Sequence, residues 1–428
     1  MHTKIKLFSY ITTIFLLVSC QNYKYPYKEM QVICVPVYGQ SYALGEEAIR
    51  VTDFDSLRIH YNHRILTENL DEEFGYFSDT ELKQFIKKII RNDQRSFELQ
   101  CYGMAEHFLY LSKNDSLLFC TFPGGQGTTS IAGMMPGSKA YSKFIKEIES
   151  ACQKAQAKGW TFKVSAYCWM QGENDVVWHT STNYKKDLQS FHRQLSKDIQ
   201  NITQQKEAPI CICYQTNCLT MLNSETSALT YDRPEIYVPK AQLELITQQK
   251  EFMASGPVYP YSCVDERIHI DGIGQKRLGY LAGLTLYRYL SNKENDGLYP
   301  TDIQALGNKI NILFHIPHPP LTWDTLQVSN PGHYGFTVIT PEGKNILTHA
   351  SIQGDTVCLS CSEPIKPTYK VRYAINGTPY KNGNRRGARG NLRDSQGDYY
   401  TCKIKNEIYR LDNWCFQFEE MASKVVNE

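Results

Sequence analysis

The chain has 428 residues, of which 42% are hydrophobic and 21% are charged, and its formal net charge at pH 7 is +2. This length is enough for one large domain and a smaller one. The charge is near neutral, and the sequence contains no basic stripe and no acidic tail, so we expect no nucleic-acid partner.

The first residues have the layout of a secretory signal. Two lysines precede an apolar stretch at 7–18, which is too short to cross a bilayer as a helix. Cys20 follows a small residue at the expected cleavage point, which resembles the bacterial lipoprotein box. We therefore expect a lipoprotein signal peptide at 1–19, a lipid anchor on Cys20 that attaches the chain to a membrane, and a tether at 20–29. The predicted location is the bacterial cell envelope, periplasmic or surface-facing; an ordinary signal peptide cut nearby is the alternative.

The 14 cysteines are irregularly spaced. Several, such as Cys34 and Cys168, lie in apolar runs where a cysteine acts as a small buried hydrophobe. Cys358 and Cys361 have the gap of half a zinc site, but no second close pair accompanies them. Since a structural zinc site needs four converging ligands, we expect no metal.

Strand-like and helix-like patterns alternate between 30 and 295. Short apolar runs, typical of strands buried on both faces, lie at 31–38, 116–122, 162–169, 209–214 and 251–258. Amphipathic helical patterns lie at 140–157, 183–202, 234–249 and 273–290. This alternation predicts an α/β fold with a parallel sheet that helices cover on both faces.

Two further regions have a different character. The segment 63–95 has helix-like spacing, and we interpret it as an insertion or a cover over the sheet. After residue 292 prolines become frequent, and alternating runs at 309–315, 335–339, 356–360 and 369–374 predict antiparallel strands. We expect a β-rich accessory domain at 300–420.

Ser41 lies in a Gly-Gln-Ser turn directly after the first strand, where a parallel sheet places its reactive groups. A serine hydroxyl is a poor nucleophile unless a base takes its proton, so it must stand clear of the sheet beside that base. The alternative is a serine that caps the helix after it.

A glycine-rich loop at 123–130 follows the second strand. Backbone amides around Gly125 and Gly127 are candidates for binding a developing oxyanion. A phosphate-binding loop is disfavoured because no lysine follows the last glycine. A plain surface turn is the remaining alternative.

The block 169–175 ends the third core strand. Gln171 and its neighbour Gly172 offer amide donors, and Glu173 is a carboxylate that could orient nearby groups. Trp169 offers an apolar wall for a sugar face. The alternatives are that Trp169 belongs to the core and that Glu173 is a first-turn acid of a helix.

His269 is the candidate general base. An imidazole relays the serine proton only if a carboxylate holds its other nitrogen, so an acid in the same loop is expected. Asp265 and Glu266 lie four and three residues upstream, and either could serve. A satisfied surface histidine is the alternative.

Taken in order, these blocks resemble those of the SGNH hydrolases, and more closely those of the carbohydrate O-acetylesterases that include the sialate O-acetylesterases. The resemblance covers roughly 32–290. It implies a flavodoxin-like three-layer α/β/α sandwich and a serine esterase without metal or cofactor. It also implies Ser41 as nucleophile, His269 as base, and the amides of Ser41, the glycine loop and Gln171 as oxyanion donors.

Three positions depart from the family pattern. Tyr42 stands where an asparagine is common, Thr128 replaces a frequent second glycine, and Glu266 occupies the usual aspartate position. The predicted function is the hydrolysis of O-acetyl groups on a carbohydrate, sialic acid or another acetylated glycan, through an acetyl-enzyme. The alternatives are a glycan-binding lipoprotein with a decayed esterase site, and an esterase or thioesterase for longer acyl chains.

Overall fold

The computed structural model describes residues 30–68, 75–76, 97–178, 183–218, 236–293, 297–378, 381–422 and 424–425. The expected signal peptide, Cys20 and the tether lie outside the described residues, as does most of the segment 63–95. Within the described ranges, no helix is both long and apolar enough to cross a membrane.

The N-terminal half is built on a parallel sheet whose longer strands are each divided into two short segments. These strands are β1 (Gln31–Cys34), β2 (Val37–Gly39), β3 (Ile65–Thr67), β4 (Gly75–Tyr76), β5 (Leu117–Cys120), β6 (Pro123–Gly125), β7 (Thr161–Val164), β8 (Ala166–Met170), β9 (Ile210–Gln215) and β10 (Phe252–Pro257). The spatial order is β4, β3, β5/β6, β1/β2, β7/β8, β9 and β10, and only β4 runs antiparallel. Without the edge strands β3 and β4, this is the flavodoxin-like order 2-1-3-4-5.

Helices cover both faces of the sheet. They are α1 (Phe54–Tyr61), α2 (Gln100–Ser112), α3 (Ile131–Met134), α4 (Lys139–Ala157), α5 (Glu173–Trp178), α6 (Tyr184–Thr203), α7 (Tyr237–Gln248) and α8 (Gly272–Leu290). The first strand shows why the layers form: Val32 and Cys34 belong to the core under α4, α6 and α7, whereas Ile33 and Val35 belong to the core under α1, α2 and α8. The predicted three-layer α/β/α sandwich is confirmed.

The pattern analysis did not predict α2, which packs closely along α8. A Cβ atom built on Gly279 would lie 2.3 Å from the Gln100 carbonyl oxygen, and one built on Gly103 would lie 2.3 Å from the Lys276 carbonyl oxygen. Only glycine permits this approach of the two backbones. Gly103 also interrupts the apolar run of α2, which weakens its helical signal.

The C-terminal region is rich in β-structure, as predicted. Its strands are β11 (Tyr299–Leu306), β12 (Lys309–His315), β13 (Thr322–Trp323), β14 (Phe336–Ile339), β15 (Leu347–Gln353), β16 (Thr356–Cys361), β17 (Lys370–Tyr373), β18 (Leu392–Arg393), β19 (Thr401–Ile404), β20 (Glu407–Arg410), β21 (Phe418–Met421) and β22 (Lys424–Val425). The larger sheets have the orders β15-β16-β12-β11-β22 and β14-β17-β21, and their strands pair antiparallel except for β22 against β11.

This region packs on the sandwich at the carboxyl end of β9. The Gln215 side chain donates to the Gln417 carbonyl (2.9 Å) and accepts from the Gln417 amide (2.7 Å), and both residues are fully buried. Nearby, the hydroxyl groups of Tyr259 and Tyr373 lie 3.1 Å apart. The accessory region therefore adjoins the edge of the sheet where the candidate site residues lie.

The cysteines of the described residues are all free thiols. All of them are buried except Cys263 and Cys358, which are partly exposed. Burial raises the pKa of the Cys168 and Cys415 thiols well above the ordinary value, which disfavours the reactive thiolate.

A pH-dependent destabilisation is expected from Glu147 on the inner face of α4. Burial raises the pKa of its carboxyl from 4.5 to about 7, although Lys143 lies 3.5 Å away. The stability gained from the protonated form is complete below pH 4.5 and is lost as the pH rises through about 7. We expect the Tm of Glu147→Gln, whose side chain stays neutral, to fall less between pH 5 and pH 8 than the Tm of the wild type, as measured by scanning calorimetry at several pH values. Glu149→Gln, on the exposed face of the same helix, is the control. Parallel curves of Tm against pH for Glu147→Gln and the wild type would contradict the expectation.

Candidate active site

The site lies where β2, β6 and β8 end side by side at the carboxyl edge of the sheet. A Cβ atom built on Gly39 would lie 2.0 Å from the Met170 carbonyl oxygen, and one built on Gly125 would lie 1.7 Å from the Gly39 carbonyl oxygen. Gly125 also has a φ of 126°, which favours glycine. The three strand ends can approach this closely only because both positions are glycine.

Ser41 lies in a tight turn just after β2. The amide of Glu46 donates to the Ser41 carbonyl (3.0 Å), and the amide of Gly45 donates to the Tyr42 carbonyl (3.1 Å), so the chain folds back beside the serine. The next helix begins only at Phe54. Ser41 therefore caps no helix, and its buried side chain points to a different partner.

That partner is His269, whose Nε2 lies 2.8 Å from Ser41 Oγ. The histidine loop closes on itself, since the Val264 amide donates to the His269 carbonyl (2.8 Å). Directly afterwards, Asp271 caps α8 by accepting from the Gly274 amide (2.7 Å). The strand-end turn and the start of α8 thus bring the predicted nucleophile and base into contact.

The carboxylate that binds the histidine is Glu47. Its Oε2 lies 2.8 Å from His269 Nδ1. A carboxylate only accepts, so Nδ1 carries the hydrogen and Nε2 is free to accept the Ser41 proton. Glu47 has a φ of 64°, the left-handed region that few residues other than glycine adopt, and this conformation folds its side chain back toward the histidine.

The expectation that Asp265 or Glu266 orients His269 is corrected by this contact. Glu266 faces the accessory region, where its carboxylate accepts from Arg386 (Nε to Oε1, 2.8 Å) and pairs with Lys381 (3.1 Å). Hydrogen bonds from Arg386 and Lys381 lower the pKa of Glu266 to about 2. Asp265 is exposed on the same turn. Sequence spacing pointed to the nearest upstream acids, whereas Glu47 follows the serine by six positions and was not predicted.

Gln171 is not available as an oxyanion donor. Its side-chain nitrogen donates to the Thr129 carbonyl (3.1 Å) and to Asp175 Oδ2 (2.5 Å), so both of its hydrogens are used. Its side-chain oxygen accepts from the Tyr184 hydroxyl (2.9 Å). Gln171 is completely buried and ties the glycine loop to α5.

Gly127 is the loop position next to the nucleophile. A Cβ atom built on it would lie 4.0 Å from Ser41 Cβ and 3.3 Å from Glu46 Oε2. Among the described residues, no acceptor binds the backbone N–H of either Ser41 or Gly127. These two amides are therefore the candidate oxyanion donors, whereas Gly125 serves the close strand contact.

Trp169 does not reach a substrate, because it is completely buried and donates to the Tyr184 hydroxyl (3.0 Å). Gly172 is also internal: a Cβ atom there would lie 2.8 Å from Thr216 Cγ2. The exposed tryptophan of this region is Trp178 at the end of α5, with 60% of its surface accessible.

Glu173 is a buried carboxylate beneath the site. It accepts from the hydroxyl groups of Tyr214 and Thr216, each at 2.6 Å. Burial raises the pKa of Glu173, although these two hydroxyls oppose the shift. Tyr214 stacks on Tyr42 with 5.9 Å between ring centroids, and Tyr42 donates to the Ile268 carbonyl (2.5 Å). Tyr42 therefore supports the histidine loop from below.

No group of three or more histidine, cysteine or acidic side chains in the described ranges could hold a metal ion.

Comparison with known proteins bears on the chemistry of the site. Residues 105–231, which include the glycine loop and the block 169–175, match the family model described as carbohydrate esterase, sialic acid-specific acetylesterase. No curated protein sequence matches the chain.

Several solved structures are similar. A carbohydrate acetylesterase from Xanthomonas citri aligns at 14% identity over 91% of this chain and 80% of its own, with a TM-score of 0.57. A protein from Arabidopsis thaliana aligns at 18% identity over 61% of this chain and 98% of its own (TM-score 0.44). A carbohydrate acetylesterase from Sinorhizobium meliloti aligns at 12% identity over 60% of this chain and 99% of its own (TM-score 0.35).

The family model and the fold shared with the Xanthomonas protein confirm the resemblance to the carbohydrate acetylesterases. The chain is a carboxylic ester hydrolase.

The two acids give a direct test of the histidine contact. We expect Glu47→Gln to lower kcat for an aryl acetate about 100-fold, because a neutral amide neither fixes the Nδ1–H tautomer reliably nor stabilises an imidazolium. Glu266→Gln leaves the contact between Glu47 and His269 intact and is expected to lower kcat by no more than about tenfold. Steady-state kinetics of both purified variants decide the matter, and a larger loss in Glu266→Gln than in Glu47→Gln would contradict the arrangement.

Proposed function

We propose that this ester hydrolase removes O-acetyl groups from a carbohydrate, sialic acid or another acetylated glycan, through an acetyl-enzyme on Ser41. The observation that carries the proposal is the continuous hydrogen-bonded chain from Ser41 Oγ through His269 to Glu47. A nucleophile, a base and a carboxylate in this arrangement are what acyl transfer from an ester requires.

In the first half of the reaction, Ser41 Oγ attacks the acetyl carbonyl carbon while His269 Nε2 takes the hydroxyl proton. The amides of Ser41 and Gly127 donate to the oxyanion of the tetrahedral intermediate, and Glu47 stabilises the imidazolium. The C–O bond to the sugar then breaks. The departing sugar oxygen takes the proton from His269, which leaves the acetyl group on Ser41.

In the second half, a water molecule replaces the sugar. His269 accepts a proton from this water as its oxygen attacks the acetyl carbon, and the same two amides bind the second oxyanion. Collapse of the intermediate returns the proton to Ser41 Oγ and releases acetic acid, which loses its remaining proton to the solvent and becomes acetate. The protein ends in its starting protonation state.

The surface beside the serine supports a sugar as the alcohol part of the substrate. The backbone amide of Asn174 in the first turn of α5 donates to the Gln40 side chain (3.3 Å), next to Ser41. Trp178 follows four residues later, at the end of the same short helix and about 6 Å further along its axis. An exposed indole at this distance suits stacking against a pyranose ring.

The departures from the family pattern do not favour a decayed site. Tyr42 braces the histidine loop, Thr128 lies in a loop that still presents Gly127, and the role expected of Glu266 is taken by Glu47. We retain the esterase for longer acyl chains as the second candidate. We also propose that this enzyme resides in the bacterial cell envelope and is attached through a lipid on Cys20; the lipoprotein-like layout of its first twenty residues supports this.

The nucleophile assignment is tested with Ser41→Ala. We expect acetate release from acetylated sialic acids, acetylated xylan and aryl acetates to fall by about 10⁴-fold or more, since the remaining groups cannot form an acetyl-enzyme. A fluorophosphonate probe is expected to label the wild type and not the variant. Ser142→Ala, at an exposed serine on α4, is the control. Near wild-type acetate release from Ser41→Ala would overturn the assignment.

The sugar contact is tested with Trp178→Ala. Loss of one stacking contact of roughly 1 kcal/mol predicts a decrease of about fivefold in kcat/KM for an acetylated oligosaccharide. The same ratio for ethyl acetate, which has no ring to stack on the indole, is expected to stay within about twofold. Tyr399→Ala, which removes an aromatic side chain of 73% exposure from the accessory region, is the control. A uniform loss on both substrates, or a preference for longer aryl acyl esters, would favour the second candidate.

A further inference from the structure

We propose that the accessory region positions the catalytic histidine, through a clamp formed by Lys381, Asn382 and Arg386 on the loop at 264–269. This inference rests on the proposed function, because it assigns these residues to the alignment of His269 with Ser41. It gives the C-terminal region a role in the reaction and explains the orientation of Glu266.

The first part of the clamp is Asn382, which binds the histidine loop at two points. Its backbone amide donates to the Glu266 carbonyl (2.8 Å), and its side-chain nitrogen donates to the Ile268 carbonyl (3.4 Å). The Ile268 carbonyl also accepts from the Tyr42 hydroxyl, which comes from the serine turn. One carbonyl, a single residue before His269, is therefore held from the serine side and from the accessory side.

The second part is the ion pair at Glu266. Arg386 binds both carboxylate oxygens and Lys381 adds a third contact at 3.1 Å. A bidentate guanidinium fixes direction as well as distance. Because the pKa of Glu266 is held at about 2, its charge persists throughout the working range of an esterase.

The histidine loop needs such support because its backbone is strained. Asp265 and Glu266 have φ values of 52° and 56°, in the left-handed region that costs residues other than glycine roughly 1 kcal/mol each. Conformations of this kind persist only where neighbouring structure holds them. Without the clamp, the loop would gain alternatives in which His269 Nε2 is not 2.8 Å from Ser41 Oγ.

The clamp is itself anchored to the sheet. The Asn382 side-chain oxygen accepts from the Asn217 side chain, and the Asn217 oxygen accepts from the Gln417 side chain (2.6 Å). A Cβ atom on Gly383 would lie 2.8 Å from the Cys263 amide, so the two loops are in direct contact. Asn217 follows β9, and thus the carboxyl edge of the sheet sets the position of the clamp.

Two substitutions separate alignment from general stability. Asn382→Asp keeps the oxygen that accepts from Asn217 and replaces the donor to Ile268 by an acceptor. Arg386→Ala removes the bidentate contact to Glu266 and leaves the contact from Lys381, and Arg386→Lys restores the charge at position 386. We expect kcat for an aryl acetate and the rate of fluorophosphonate labelling to fall about tenfold in the first two variants, with KM within about twofold, because sub-ångström misplacement of a catalytic base slows the chemical step.

Arg386→Lys is expected to recover at least half of the loss on a logarithmic scale, and Tm of the two Arg386 variants to stay within about 3 °C of the wild type, as for a surface ion pair. Asn382→Asp introduces a carboxylate at a buried position, so its Tm is expected to fall further. The control is Lys344→Ala, which removes an ion pair with Glu363 elsewhere in the accessory region. Unchanged kcat and labelling in Arg386→Ala and Asn382→Asp would overturn the clamp. If Asn382→Asp does not fold, the comparison of Arg386→Ala with Arg386→Lys in kcat and labelling still tests the clamp. Full activity of Ser41→Ala would instead refute the proposed function.

Discussion

The hydrogen bond between Ser41 Oγ and His269 Nε2 is the contact that the remaining architecture serves. It joins residues 228 positions apart over 2.8 Å, so it exists only if two separate loops are fixed to within a fraction of an ångström. The serine turn is fixed by the close strand contacts at Gly39, and the histidine loop by Tyr42 beneath it and by the start of α8 behind it. These supports combine close packing of backbone on backbone with hydrogen bonds made by the Tyr42 hydroxyl and the Asp271 carboxylate.

Much of the sandwich could be predicted from the sequence because strands buried on both faces form continuous apolar runs. The rule that loops at the carboxyl edge of a parallel sheet converge then predicted that Ser41, the glycine loop and His269 would lie together. That prediction needs only topology. The helix α2 was missed because Gly103, which close helix packing requires, weakens the pattern that would reveal it.

The details of the site were harder to predict because they depend on side-chain geometry. Glu47 reaches His269 through a left-handed backbone conformation, which no local pattern indicates for glutamate. Gln171 has the right chemistry for an oxyanion donor, yet its hydrogens are used inside the protein, and Trp169 has the right chemistry for a sugar but is buried. Residue type states what a group can do, whereas only its neighbours in space determine whether it is available.

The reciprocal pair of buried amides at Gln215 and Gln417 has a consequence for any attempt to shorten the chain. A cut before the C-terminal region would remove the Gln417 main-chain partner and open the face around Gln215 and Tyr259, both now completely or almost completely buried, to water. The two halves are thus joined through polar and aromatic groups that are buried together only in the complete chain. An isolated sandwich is a different molecule from the sandwich within this protein, and its properties do not report on the esterase.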